Sequence, residues 1–144
     1  DNFDLTSSHG VPALIRKFHD ARGEGREEVV IWGTGLPRRE FLHVDDLADA
    51  CLFIMREYDG DTHINVGTGE DLTIHELAEL VREVVYPEAR LAFDTTKPDG
   101  TPRKLLDVSR LHALGWRHSV PLGEGIASTY RWFLDHQSSL RRGA

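Results

Sequence analysis

Two cationic stretches of this sequence have the residue types that bind phosphate. In the first, Trp32 precedes Arg38 and Arg39 across a Gly–Pro turn. An indole ring can stack on a nucleotide base, and guanidinium groups bind phosphate oxygens through paired hydrogen bonds. The same spacing is also typical of a core tryptophan followed by solvent-exposed arginines, so both interpretations stay open at this point.

The second stretch is Lys97-Pro98-Asp99-Gly100-Thr101-Pro102-Arg103-Lys104, which combines three cations with one carboxylate. Proline and glycine among polar residues predict a loop over residues 94–104. Such a loop suits a phosphate and ribose hydroxyls, and a charged loop exposed to solvent is the alternative. Because both stretches are cationic in a chain with a formal net charge of −7, they favour an anionic small molecule bound in one cleft.

Composition excludes several classes of protein. The 144 residues include 24 acidic and 17 basic side chains, which provide no general basic surface for nucleic acid or an anionic membrane. The apolar runs are far shorter than the roughly 20 residues that span a bilayer. The single cysteine, Cys51, excludes an internal disulfide and fits a reducing, cytoplasmic location. Since the chain begins at Asp1 and its only methionine is Met55, we expect a piece of a longer protein.

Common cofactor and metal motifs are absent from the sequence. Four Gly-x-Gly pairs occur, but a dinucleotide fingerprint needs a third glycine, which is replaced in the four cases by Glu28, Arg38, Leu72 and Ser128. No Walker A or His-Glu-x-x-His motif is present, and the eight histidines are scattered. The sequence therefore predicts no metal site and no cofactor-binding Rossmann turn.

Periodicity predicts one layered α/β domain over residues 1–137, followed by a frayed tail over 138–144. The predicted helices cover 10–21, 45–58, 74–85, 109–114 and 122–136, and the predicted strands cover 29–32, 63–66 and 90–93. Asp45 or Asp46 is expected to cap the second helix, and this explains the pair more simply than a catalytic role does. Cys51 is expected to pack on the apolar face of that helix. Thr73 and Glu76 form a capping-box pattern before the third.

Several strings in this chain together resemble the GDP-L-fucose synthases, a family of the extended short-chain dehydrogenase/reductase superfamily. They include Ser8-His9, Arg39-Glu40-Phe41-Leu42-His43-Val44-Asp45-Asp46, Ile64-Asn65-Val66-Gly67-Thr68-Gly69 and the stretch from Lys97 to Asp107. The resemblance covers nearly the whole chain and corresponds to the C-terminal half of the family's enzyme. It implies a small mixed α/β substrate-binding lobe from which the Rossmann half is absent.

The resemblance also implies a reaction and a set of site residues. The family epimerises C3 and C5 of GDP-4-keto-6-deoxy-mannose and then reduces its C4 ketone with NADPH. His9 matches a histidine proposed as an acid in epimerisation that also lies beside the nicotinamide cofactor. Lys17, Trp32, Arg39 and Asp99 match substrate-binding positions. Arg103 and Lys104 are weaker candidates for the same pocket.

One departure from the family pattern bears on activity. The family's reduction uses a Tyr-x-x-x-Lys pair, whereas the three tyrosines here are followed four residues later by Thr62, Arg90 and Leu134. We therefore expect no reductase activity from this chain alone, with NADP bound mainly by the missing half. In the family, the segment near residues 64–66 and the helix after Asp46 lean on the cofactor domain. Their apolar faces are expected to be exposed here and to promote association.

Two rival interpretations remain beside the GDP-sugar-binding half of an NADP-dependent enzyme. The chain could be a stand-alone, non-catalytic nucleotide-sugar binding module, or part of another extended-family epimerase or dehydratase acting on a GDP- or UDP-sugar. The family's homodimer contacts lie mostly outside this chain, so the sequence does not give the oligomeric state.

Overall fold

The computed structural model describes residues 3, 4, 8 and 10–137. Within them, the helices are α1 (Gly10–Gly23), α2 (Val44–Glu57), α3 (Ile74–Val85), α4 (Ser109–Ala113) and α5 (Leu122–His136). The strands are β1 (Glu28–Trp32), β2 (Arg38–Arg39), β3 (Leu72–Thr73), β4 (Arg90–Asp94) and β5 (Arg103–Lys104). The α/β class is as predicted. His9 and the predicted tail over 138–144 lie outside the described residues.

Helices α1, α3 and α5 pack together, and α1 also packs on a parallel two-stranded sheet formed by β1 and β4. Their shared core includes Phe18, Leu77, Val81 and Phe133, which are almost completely buried. Burying a side chain of this size contributes about 1.5–3 kcal/mol, so this cluster is the main source of stability. No helix in the described part of the chain is long and apolar enough to cross a membrane.

The helices with the clearest local signals lie where the sequence predicts them. Helix α3 begins after Thr73, whose Oγ1 accepts a hydrogen bond from Glu76 N (3.0 Å), while Glu76 Oε2 accepts one from Thr73 N (2.7 Å). This confirms the capping box. Helix α5 has the predicted bounds, and helical spacing places Ile126, Tyr130 and Phe133 on its buried side. Leu134, next to Phe133, is 42% exposed.

Strand β1 is half-buried, although its apolar run predicts a fully buried strand. Val29 and Ile31 are buried, whereas Val30 is 44% exposed and Trp32 is 65% exposed. Successive side chains of a strand point to opposite faces. The helices bury one face of the β1–β4 sheet and leave the other open, which places Trp32 at the surface.

A second, smaller sheet has the order β3-β2-β5 and was not predicted. In β2, Arg38 pairs with Thr73 of the antiparallel strand β3 and with Arg103 of the parallel strand β5. Arg39 pairs with Lys104 of β5. Arg38 N donates a hydrogen bond to Pro102 O (2.8 Å), which joins the end of the charged loop to β2. The prediction of a loop over the whole of residues 94–104 is therefore wrong at its ends. Two-residue strands carry too little periodicity to be read from sequence.

The N-terminus and the apolar face of α2 both differ from expectation. His43 is the N-cap, and its Nδ1 accepts a hydrogen bond from Asp45 N (3.3 Å). Asp46 does not cap the helix. Its side chain is buried, and its carboxylate accepts hydrogen bonds from Ser119 and Val120. Cys51 is exposed, so its predicted packing is wrong.

The exposed side of α2 is apolar, as the family resemblance implied. Leu47 is 44% exposed, Leu52 53% and Met55 81%, and they lie on the solvent side of the helix. Ala50, on the other side, is buried with Leu111 and Trp116 in a second core cluster. Within the described residues nothing covers the apolar side of α2.

The predicted strand over residues 63–66 does not form. Ile64 and Val66 pack instead against the second core cluster, and Asn65 Nδ2 donates a hydrogen bond to Asp107 O (2.9 Å). The segment has an extended apolar pattern, but no strand in the described chain runs beside it to complete a ladder.

Candidate functional site

A cavity of about 1340 Å³ opens where the β3–β2–β5 sheet meets the first turn of α1 and the start of α5. Arg39 and Lys104 line it from the sheet, and Gly10 to Pro12 line it from α1. Because these two residues are register partners in β2 and β5, their side chains leave the sheet on the same face. The fold thus brings together two cations that are far apart in the sequence.

The Arg39 guanidinium also lies close to the charged loop. Its Nη1 donates a hydrogen bond to Arg38 O (2.7 Å), and a Cβ at Gly100 would be 3.1 Å from its Nη2. A larger residue at position 100 would push the guanidinium aside. Arg39, predicted to bind substrate, is therefore held between β2 and the loop with donors left for an anion.

Trp32 lies at the end of β1 with two lysines beside its ring. Lys17 Nζ is 5.0 Å from the ring centroid and Lys97 Nζ is 5.6 Å from it, within the roughly 6 Å range of cation–π contacts. Lys17 Nζ also donates a hydrogen bond to Val30 O (3.2 Å), and burial lowers the pKa of Lys17. The alternative that Trp32 is a core residue is wrong, because its ring is open to solvent.

Asp99 fastens the charged loop to the turn after β1. Its Oδ1 accepts a hydrogen bond from Thr34 N (2.8 Å) and its Oδ2 accepts one from Thr34 Oγ1 (2.6 Å). These bonds hold the pKa of Asp99 below its usual value. Gly33 has a positive φ of 84°, and a Cβ there would collide with the Asp99 carboxylate. Asp99, predicted to bind substrate, is thus held at the turn that follows Trp32, and it is not among the residues that line the cavity.

Arg38 and Arg103 bind a protein carboxylate and do not line the cavity. Asp71 Oδ1 accepts a hydrogen bond from Arg38 Nε (2.8 Å), and Asp71 Oδ2 accepts one from Arg103 Nε. Both bonds hold the pKa of Asp71 below its usual value. The expectation that Arg38 and Arg39 act together on one ligand is therefore not met by this geometry.

Sequence reasoning missed two acceptors that organise the site, Asp71 and Glu40. Glu40 Oε1 accepts a hydrogen bond from Gly69 N (2.7 Å), and its Oε2 accepts one from Leu106 N (3.0 Å). Glu40 thereby ties the turn before β3 and the segment after β5 to β2. Glu40 lies in one of the strings that carry the family resemblance, but spacing alone does not distinguish it from a surface glutamate.

None of the Gly-x-Gly turns in the described part of the chain has the position of a dinucleotide-binding turn. A dinucleotide site needs a glycine-rich turn between a strand and a helix, with the pyrophosphate at the helix N-terminus. The turns at Gly33–Gly35 and Gly67–Gly69 lead into β2 and β3, Gly23–Gly25 leads into β1, and Gly123–Gly125 lies inside α5. Over residues 10–137, no cluster of three or more His, Cys, Asp and Glu side chains could hold a metal ion.

Comparison with known proteins relates this chain to nucleotide-sugar enzymes. Residues 1–67 match the model of the NAD dependent epimerase/dehydratase family. GDP-L-fucose synthase 1 of Arabidopsis thaliana is 59% identical over 134 residues, which cover 93% of this chain. GDP-L-fucose synthase of Escherichia coli is 51% identical over 150 residues, which cover 98% of it.

The homologues of this chain are GDP-L-fucose synthases. The match corresponds to their C-terminal portion. The chain spans less than half of their length, 42% of the Arabidopsis protein and 47% of the Escherichia coli protein. A crystal structure of a GDP-L-fucose synthetase from Naegleria fowleri bound to NADP has the same fold, with a TM-score of 0.91 at 28% identity, covering 99% of this chain and 45% of that one. The family resemblance read from the sequence is confirmed, and so is the partial α/β lobe of a short-chain dehydrogenase/reductase type.

Proposed function

We propose that this chain provides the GDP-sugar-binding part of an NADP-dependent GDP-L-fucose synthase. That enzyme would epimerise C3 and C5 of GDP-4-keto-6-deoxy-mannose and reduce its C4 keto group. The observation that carries the proposal is the exposed Trp32 ring with Lys17 and Lys97 within 5.0 Å and 5.6 Å of its centroid. The homology to GDP-L-fucose synthases supports it.

In this proposal, each side chain of the site has a distinct task. The guanine base stacks on the Trp32 ring, and Lys17 provides a positive charge beside it. Arg39 binds diphosphate oxygens with its planar guanidinium, and Lys104 adds a point charge on the same face of the small sheet. Asp99 provides acceptor oxygens at the edge of the base, because each carboxylate oxygen keeps a lone pair beyond its bond to Thr34.

His9 completes the proposal as an acid in epimerisation that also touches the cofactor. An imidazole titrates near neutral pH, which suits transfer of a proton to a sugar carbon. In this proposal NADP is bound mainly by residues that are not in this chain, because none of its Gly-x-Gly turns leads from a strand into a helix. We expect the chain alone to lack reductase activity, because none of its tyrosines has a lysine four residues later.

Calorimetric titration of GDP into the protein, with UDP as the competing ligand, tests this proposal. GDP should bind saturably and more tightly than UDP, and Arg39→Ala should weaken GDP binding about tenfold, since one charge-assisted contact contributes roughly 1.5–3 kcal/mol. Arg56→Ala is the matched control, because Arg56 lies on α2 and donates to Leu52 O. A folded protein that binds neither nucleotide, or that loses as much affinity in Arg56→Ala, would contradict the proposal.

The same titration separates the rival functions. Equal affinity for GDP and UDP would favour an epimerase or dehydratase acting on another nucleotide-sugar. Tight GDP binding that is unaffected by a separately produced Rossmann half carrying the Tyr-x-x-x-Lys pair would favour a stand-alone binding module. A cytoplasmic location, and a homodimer whose contacts lie mostly outside this chain, are further parts of the proposal.

A further inference from the structure

Asp71 joins two cationic side chains that belong to different strands, Arg38 of β2 and Arg103 of β5. It directly precedes β3, and its side chain is 4% exposed. One oxygen accepts from Arg38 Nε at 2.8 Å and the other accepts from Arg103 Nε, while Arg38 Nη2 also donates to Asp71 O at 2.8 Å. A single carboxylate thus holds one guanidinium from β2 and one from β5.

Strand register decides what happens to the other two cations. Arg38 is opposite Arg103, and Arg39 is opposite Lys104. Because side chains alternate along a strand, the pair held by Asp71 and the pair Arg39–Lys104 leave the sheet on opposite faces. Only the second pair lines the cavity among these four residues.

The Asp71 carboxylate links β2 to β5 through one guanidinium of each strand. Each strand has two residues, and strands so short have little stability of their own. Like charges directly opposite each other also destabilise a sheet, and here both register pairs are cationic. Asp71 offsets the repulsion between Arg38 and Arg103, and Glu76 Oε2 adds a weaker contact, 3.9 Å from Arg38 Nη1.

We propose that Asp71 is a positioning residue, which holds Arg38 and Arg103 on one face of the sheet so that Arg39 and Lys104 are presented together to an anionic ligand. This inference rests on the proposed binding of GDP for its ligand, and on the sheet geometry for its mechanism.

The direction in which Asp71→Asn changes GDP affinity distinguishes a positioning role from a purely electrostatic one. Asp71 also lines the cavity, so removing its negative charge should strengthen GDP binding if only long-range electrostatics mattered. If Asp71 positions the cations, the same change should weaken GDP binding about tenfold. Asp20→Asn is the matched control, because Asp20 is an ion-paired carboxylate on α1 that is bound to Arg16, and its loss should change GDP affinity less than twofold.

A double-substitution cycle tests whether Asp71 acts through Lys104. Calorimetric titration with GDP should show that Asp71→Asn costs less than threefold once Lys104→Ala is present, because the cation it positions is gone. An unchanged tenfold cost in that background, or GDP binding by Asp71→Asn as tight as by the unsubstituted protein, would overturn the proposal. A change in overall stability alone would give the same cost in both backgrounds.

Hydrogen exchange gives a readout that does not depend on GDP. The Arg38 amide donates to Pro102 O between β2 and β5, whereas the Arg90 amide donates to Glu27 O beside the β1–β4 sheet. Asp71→Asn should speed exchange at Arg38 at least tenfold and leave Arg90 unchanged. If the unsubstituted protein fails to bind GDP, the proposed function fails, and exchange still decides the role of Asp71. Unchanged exchange at Arg38 would refute it.

Discussion

Replacing Asp46 by asparagine should lower the free energy of unfolding by about 2 kcal/mol. The Asp46 side chain is buried at the start of α2 and accepts hydrogen bonds from Ser119 N (3.0 Å), Ser119 Oγ (2.9 Å) and Val120 N (3.0 Å). Hydrogen bonds to a charged acceptor contribute about 1.5–3 kcal/mol and neutral ones about 0.5–1.5 kcal/mol. Asparagine keeps one acceptor oxygen but turns amide hydrogens towards the second backbone donor. At least one of the three hydrogen bonds is therefore lost. Asp46→Ala removes all the acceptors and should cost about 3–4 kcal/mol.

Urea unfolding followed by circular dichroism at pH 7 measures this cost. A loss of about 2 kcal/mol corresponds to a decrease in Tm of roughly 6 °C for a domain of this size. Asp45→Asn is the matched control, since the Asp45 side chain is 83% exposed and contributes only about 0.3–1 kcal/mol through the helix dipole. Equal losses in the two variants would refute the idea that Asp46 fastens α2 to the cavity wall formed by Ser119 and Val120.

The contribution of Asp46 should also disappear in acid. Desolvation by burial raises the pKa of Asp46, but the hydrogen bonds from Ser119 and Val120 and the nearby His118 together lower it below its ordinary value. A group whose pKa is lowered by folding stabilises the protein above its unfolded pKa of about 3.9, and this stabilisation is lost as the pH falls through the folded pKa. The difference in unfolding free energy between the unsubstituted protein and Asp46→Asn should therefore be constant from pH 7 to 5 and shrink below pH 4. A difference that grows in acid would show that folding does not lower the pKa of Asp46.

Three further outcomes follow from the structure. Trp32→Ala should weaken GDP binding about tenfold, because stacking of a base on an aromatic ring contributes roughly 1–3 kcal/mol. Trp32→Phe should retain most of the affinity in the same titration. Phe18→Ala should cost about 3–5 kcal/mol in urea unfolding, since Phe18 is fully buried, while Leu36→Ala, at a side chain that is 71% exposed, should cost less than about 0.5 kcal/mol. Replacing Leu47 and Met55 on the exposed face of α2 by lysine should reduce self-association in sedimentation velocity experiments, and unchanged sedimentation would show that this face does not drive association.

Local signals predicted the helices well. The capping box of Thr73 and Glu76 and the apolar positions of α3 and α5 act within one or two turns of the chain. The predicted apolar faces of α3 and α5 are the faces that are buried, because both helices pack into the same core. The pattern of α2 was equally clear, but periodicity shows only that a face is apolar and does not show whether another element covers it.

The candidate site was predictable in part. Trp32, Arg39 and the charged loop were identified from residue type and from the family resemblance, and the fold places Lys17 and Lys97 around the same ring. Sequence spacing could not separate Arg38 from Arg39. Their different roles depend on which face of β2 each occupies, and that is decided by the strands on either side.

The sequence by itself determined the α/β class, the three amphipathic helices that form the main core (α1, α3 and α5) and the family to which the homologues belong. Tertiary structure alone decided that residues 103–104 pair with residues 38–39, that a carboxylate at position 71 holds two arginines, and that Trp32 faces solvent. The physical reason is range. Helix signals arise between residues three or four apart, whereas the contacts that hold β2, β3 and β5 together, such as those of Asp71 with Arg38 and Arg103, join segments more than 30 residues apart.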